Sequence, residues 1–153
     1  MTGVWVAVAV LLAATVFGLV RRRRDGVLRP APVRAAGAGK DGDGTVGESA
    51  GDTLRPDELG ADLGEKATLV QFSSAFCAPC RTTRRVLGEV AEMVDGVAHV
   101  ELDAEANLEL VRRLNVVRTP TVLVLDGAGR IVRRAAGAPR KADVIAALGV
   151  AIP

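Results

Sequence analysis

The chain has 153 residues, 49% hydrophobic and 3% aromatic, and its charges nearly balance at a net +2. That length allows one domain with a core of its own once any tether or membrane segment is set aside. The excess charge lies in residues 1–52, where seven Lys/Arg face five Asp/Glu, while residues 53–153 are neutral with Phe72 and Phe76 as their only aromatics; a basic, aromatic-interleaved nucleic-acid surface is therefore excluded.

Residues 3–20 contain no charged side chain. As a helix rising about 1.5 Å per residue this run nearly matches a hydrocarbon core about 30 Å thick, so a single transmembrane anchor is expected over 3–20. A cleaved secretory signal is the rival reading. It would carry its positive charge before the apolar run, whereas Arg21, Arg22, Arg23 and Arg24 follow it. Those arginines favour a cytoplasmic position for the remainder of the chain, the alternative being the extracytoplasmic face, and they suit anionic lipid headgroups. Residues 21–52 are rich in Gly, Ala, Pro and Asp with no apolar periodicity, and read as a basic juxtamembrane stretch and disordered linker.

A third segment, 53–153, carries the folded domain. Leu54 to Leu63 is expected to form a short helix capped by Thr53, with Asp57 and Glu58 near its start. Ala67 to Ser73 reads as a buried strand. From Pro79 to Val94, apolar residues recur at spacings of three and four, predicting an amphipathic helix whose polar face includes Arg81, Arg84 and Arg85. Val97 to Asp103 is a second strand in which Val100 and Leu102 alternate with His99 and Glu101. A short helix over Asn107 to Leu114 follows. Thr121 to Leu125 and Arg130 to Ala135 form a hairpin around Asp126-Gly127-Ala128-Gly129, and a helix over Lys141 to Leu148 closes the chain. This order predicts an α/β fold with a mixed sheet and helices on both faces.

The two cysteines, Cys77 and Cys80, fall at the junction between the buried strand and the amphipathic helix. Backbone N–H groups without intrahelical partners, and the positive end of the helix dipole, favour a thiolate there, and the thiolate is the reactive form. Cys77, on the loop side, is the expected nucleophile and Cys80 the resolving thiol. Pro79 suits a first helical turn. A structural zinc site needs four N/S ligands and the chain adds only His99 to the two sulfurs, so no metal is expected. Closing so short a loop removes little chain entropy, which argues against a purely structural disulfide.

Leu69-Val70-Gln71-Phe72, Phe76-Cys77-Ala78-Pro79-Cys80-Arg81 and Val116-Val117-Arg118-Thr119-Pro120-Thr121 together resemble the thioredoxin family over about residues 53–150. The resemblance implies a thioredoxin-like three-layer sandwich, a cis proline at Pro120 facing the cysteines, and Thr119 and Gly137 beside a substrate groove with Phe76, Ala78 and Pro79. Gln71 stands where the family usually has a buried aspartate, Ser73 and Phe76 where it has tryptophans, and Ala78 where it has glycine. His99 falls near a family lysine and is a candidate, with Gln71, for a proton-transfer neighbour. The implied activity is thiol–disulfide exchange on protein or small-molecule disulfides, with no cofactor beyond the Cys77–Cys80 pair and another protein as electron donor. A module that uses the same sulfurs without turnover, as a redox sensor or Cu(I) carrier, is the alternative.

Overall fold

In this computed structural model of the chain the described residues are 2–24, 26–30 and 53–152, the side chains of 2–4 and 21–24 excepted. Helix α1 covers Thr2–Arg24. Among the described residues no helix is long and apolar enough to cross a membrane. The expected anchor over 3–20 is corrected accordingly, and with it the single-pass membrane localisation, the cytoplasmic orientation and the lipid contact that rested on it.

Of the expected linker, Asp25 and residues 31–52 lie outside the described residues. Residues 26–30 are not linker. Strand β1 (Arg29–Pro30) pairs antiparallel with β5 (Ile131–Ala136), Arg29 opposite Arg134 and Pro30 opposite Arg133. Gly26 donates its N–H to the Ala136 carbonyl at 3.0 Å. It has φ +78°, and a Cβ would sit 2.1 Å from the Ala138 oxygen, so only glycine lets the backbone lie this close. The strap covers part of a strand edge that would otherwise present unpaired backbone groups.

The first domain helix is shorter than expected. Helix α2 spans Pro56–Leu59, with Arg55 as its N-cap residue and Gly60 at φ 64° as its left-handed end. Thr53, expected as the cap, instead forms a bridge with Arg130. Glu58 performs the capping from inside, its carboxylate accepting the Arg55 N–H at 2.9 Å.

The remaining elements follow the expected order within a few residues: β2 (Ala67–Ser73), α3 (Ala78–Met93), β3 (Val97–Asp103), α4 (Leu108–Arg113), β4 (Thr121–Asp126), β5 and α5 (Lys141–Ala151). The sheet runs β1-β5-β4-β2-β3. Only β2 and β3 are parallel, so the sheet is mixed. Both β2 and β4 are buried along their whole length, as strands covered on both faces must be.

Alternation along these strands divides the core in two. Val70, Phe72, Leu123 and Leu125 pack with Leu59 and Leu110 on the face of α2 and α4. Leu69, Val122 and Val124 pack with Leu87 and Val90 of α3 and with Val144 and Leu148 of α5 on the other. Side chains two apart on a strand share a face, so Leu69, Gln71 and Ser73 of β2 and His99 and Glu101 of β3 all lie on the α3 side.

Candidate functional site

Strand β2 ends at Ser73 and the chain turns once before α3. Cys77 is the residue that caps this sixteen-residue helix. Its N–H donates to the Ser74 carbonyl at 3.2 Å, and its own carbonyl accepts the Cys80 N–H at 3.1 Å. The helix begins Ala78-Pro79-Cys80, with proline in its first turn, where a missing N–H is no loss. Cys77 and Cys80 are joined as a disulfide with their Cα atoms 5.2 Å apart.

The two sulfurs are not equivalent. Cys77 is partly accessible, whereas Cys80 is 3% exposed beneath the first helical turn. Around them Phe76, Ala78 and Pro79 are exposed, Phe76 completely, and Val117 adds a second exposed apolar side chain on the loop before β4.

That loop closes on the cysteine turn. The Thr119-Pro120 peptide is cis, as the resemblance implied. Thr119 Oγ1 lies 3.0 Å from Ser74 Oγ, three residues before Cys77. The Pro120 carbonyl accepts the Gly137 N–H at 2.7 Å, and Arg118 donates to the Ala136 carbonyl at 2.6 Å. Thr119, Pro120 and Gly137, distant in sequence from the cysteines, are thus brought to the same end of the sheet.

Beneath α3 lies a polar group set in an apolar layer. Gln71 is fully buried, and its amide nitrogen is within hydrogen-bonding distance of Ser73 Oγ at 2.7 Å, the Cys80 carbonyl at 3.0 Å and Glu101 Oε1 at 3.4 Å. Ser73 in turn donates to Glu101 Oε1 at 2.5 Å. Arg84, one turn beyond Cys80, grips the same carboxylate with Nε 2.5 Å from Oε2 and Nη2 2.9 Å from Oε1. Burial alone would raise the Glu101 pKa, but the bonds from Arg84 and Ser73 outweigh it and hold the carboxyl below its ordinary value.

Glu101 and Ser73 are functional candidates that sequence reasoning passed over, and Arg84 is one that it assigned to solvent. Glu101 alternates with Val100 and Leu102, which reads as the solvated face of a strand, and Arg84 reads as part of a solvated helix face. The signal that finds them is the parallel register, which sets Gln71 opposite Glu101. Arg81 and Arg85 are exposed, as a solvated helix face requires.

His99 lies two residues before Glu101 on β3, with Nε2 buried and no hydrogen-bond partner. Burial pushes its pKa down, partly countered by Glu101, and Arg84 lowers it further. The cleft beside the cysteines, about 390 Å³, is lined by Ser73, Cys77, Cys80, Arg84 and Glu101 among others, and His99 does not reach it.

Comparison with known proteins agrees with this geometry. Residues 53–149 match the Thioredoxin family model. The chain is 36% identical over 89 residues to the thioredoxin of Mycobacterium bovis, covering 58% of this chain and 76% of that protein. It is 36% identical over 105 residues to the thioredoxin of Mycolicibacterium smegmatis, covering 66% and 89%. It is also 35% identical over 89 residues to the bifunctional thioredoxin reductase/thioredoxin of Mycobacterium leprae, of which it spans only 19%. Among solved structures, the reduced Schistosoma mansoni thioredoxin pre-protein superposes with a TM-score of 0.51 at 26% identity, covering 58% of this chain and 82% of that one. With its cysteine pair at the mouth of α3 and a family match over residues 53–149, the chain belongs to the thioredoxin family.

Proposed function

We propose that Cys77 and Cys80 alternate between dithiol and disulfide and so exchange electrons with disulfides in protein substrates. The observation that carries this reading is the inequality of the two sulfurs: a partly accessible Cys77 at the helix mouth and an enclosed Cys80 one turn in. Family membership supports thiol–disulfide oxidoreductase chemistry in general.

In the reducing direction the Cys77 thiolate attacks one sulfur of a substrate disulfide. The Cys77–substrate bond forms, the substrate S–S bond breaks, and the departing sulfur leaves as a thiolate that takes up a proton. Cys80 then loses its proton and attacks Cys77 Sγ, closing the Cys77–Cys80 bond and expelling the second substrate thiolate. Two electrons have passed from the dithiol to the substrate. A protein dithiol donor restores the pair by the same exchange in reverse. Phe76, Ala78, Pro79, Thr119, Pro120 and Gly137 form the rim on which an extended substrate segment would rest.

Disulfide reduction of insulin tests the reading, with Cys77→Ser and Cys80→Ser as the informative variants. Both should lose turnover, and only Cys80→Ser should accumulate a covalent adduct that a reductant dissolves. Turnover that survives in Cys77→Ser rejects the assignment.

A further inference from the structure

The proposed exchange requires Cys80, enclosed beneath α3, to give up its proton before it can attack Cys77, and Gln71 beside it has no ionisable group to take that proton. Among the described residues the only carboxylate bonded into the polar set around Cys80 is Glu101, delivered by the neighbouring strand through the Gln71–Glu101 register. The geometry points to Glu101 as the proton acceptor for Cys80, reached through water in the cleft that both residues line, with Gln71, Ser73 and Arg84 as the residues that position it. This inference rests on the exchange reading above.

Four observations support it. The cleft has room for water, and Ser73, Arg84, Glu101 and Asp103 give it the polar partners that water needs. Gln71 spends its amide donors on the Cys80 carbonyl, Ser73 and Glu101, and so ties the first turn of α3 to the carboxylate. Its Oε1 is fully enclosed without a partner, so the donors are engaged on the Cys80 and Glu101 side at the expense of the acceptor. Ser73 has its oxygen occupied by the Gln71 N–H and its proton given to Glu101, which leaves a single orientation.

The charges that face Glu101 are Arg84 and Arg81 of α3, His99 and Asp103 of β3, and the two cysteines themselves. Arg84 is the close one. It keeps the carboxylate ionised well into acid solution and thereby limits its strength as a base. Removing Arg84 should therefore move the pH at which the acceptor is lost upward.

The step is isolated by mixing the fully reduced protein with dithiobis-nitrobenzoate. Cys77 releases the first coloured thiolate, and Cys80, closing on Cys77, releases the second. A Glu101→Gln variant should keep the first phase and slow the second by about a hundredfold, the lower end of general-base contributions. Glu101→Asp should recover part of the loss. Arg84→Ala should shift the acid limb of the second phase to higher pH, and this shift decides the matter by itself should Glu101→Gln fail to fold. A second phase in Glu101→Gln that matches wild type from acid to neutral pH overturns the inference alone. A wild-type protein that never releases the second equivalent overturns the exchange reading and this one together.

Discussion

The side-chain amide of Gln71 lies 3.0 Å from the backbone carbonyl of Cys80, so the base of the sheet holds the first turn of α3 directly under the cysteine pair. Everything else in the site is arranged about this contact. It ties the position of Cys80 to β2 and, through Ser73 and Glu101, to β3.

Replacing Gln71 by Leu should destabilise the domain by about 1–3 kcal/mol, because the Cys80 carbonyl and Ser73 lose a buried donor. Urea unfolding measures it. Gln71→Glu should behave differently, since a second carboxylate then lies about where the amide faces Glu101, and two such groups resist simultaneous ionisation. The pair's shared proton is held more tightly in the folded state than in the unfolded chain. Stability relative to wild type should therefore be nearly retained in acid and lost as pH rises, by about 1.4 kcal/mol for each unit of raised pKa. A penalty independent of pH would contradict this.

Asp126 builds the hairpin turn: Oδ1 accepts the Ala128 and Arg130 N–H groups at 3.0 and 2.9 Å, and Oδ2 meets Arg130 Nε at 2.8 Å. Burial opposes its ionisation, but these bonds prevail and hold its pKa below the ordinary value, as bonds to Arg113 and Arg55 do for Glu58. A carboxylate with a depressed folded pKa stabilises above its unfolded pKa, and that contribution disappears as pH falls through the folded value. Asp126→Ala should cost about 1–3 kcal/mol at neutral pH, with the gap from wild type narrowing on acidification. Chemical denaturation at neutral and acid pH compares the two.

His99 gives a further dependence, in the same direction as that of Asp126 but with a different cause. Burial favours its neutral form, so the unfolded chain binds the extra proton as pH drops through the ordinary histidine range, and stability falls with it. A His99→Gln variant should flatten that part of the stability profile. The Cys80 closing step should persist in this variant, because Glu101 and not His99 lines the cleft, with its acid limb moved slightly to higher pH by loss of the His99 charge that helps lower the Glu101 pKa.

Phe76 carries no packing. It is fully exposed next to Cys77, so Phe76→Ala should change stability by less than about 0.5 kcal/mol. Reduction of a protein disulfide should nevertheless fall several-fold, while a small disulfide reagent reacts as before. Equal losses on both substrates would remove Phe76 from the substrate rim.

Leu87 lies at the opposite extreme, fully buried between α3 and the sheet. Leu87→Ala should cost about 2–5 kcal/mol, read as a lowered denaturation midpoint, with residual folded protein still able to form the Cys77–Cys80 bond.

Much of the domain is legible from local pattern. Apolar runs at Ala67–Ser73 and Thr121–Asp126, the three- and four-residue spacing of α3 and the turn residues around Gly127 each act within a few positions, and the elements appear where these place them. Helix α2 is shorter than the local pattern implies because Gly60 adopts a left-handed conformation that ends the helix before Leu63. Arg29 and Pro30 carry no strand pattern, and their pairing depends on an open edge of β5 more than a hundred residues away.

What the amino-acid order determined by itself is therefore the chemistry: two thiols at a strand-to-helix junction, where local backbone polarity favours their ionisation. Which charged group serves those thiols was decided by tertiary structure alone. Alternation assigns Glu101 to one side of its strand, but only the parallel register with β2 and the descent of α3 over that side turn a seemingly solvated carboxylate into the neighbour of Cys80.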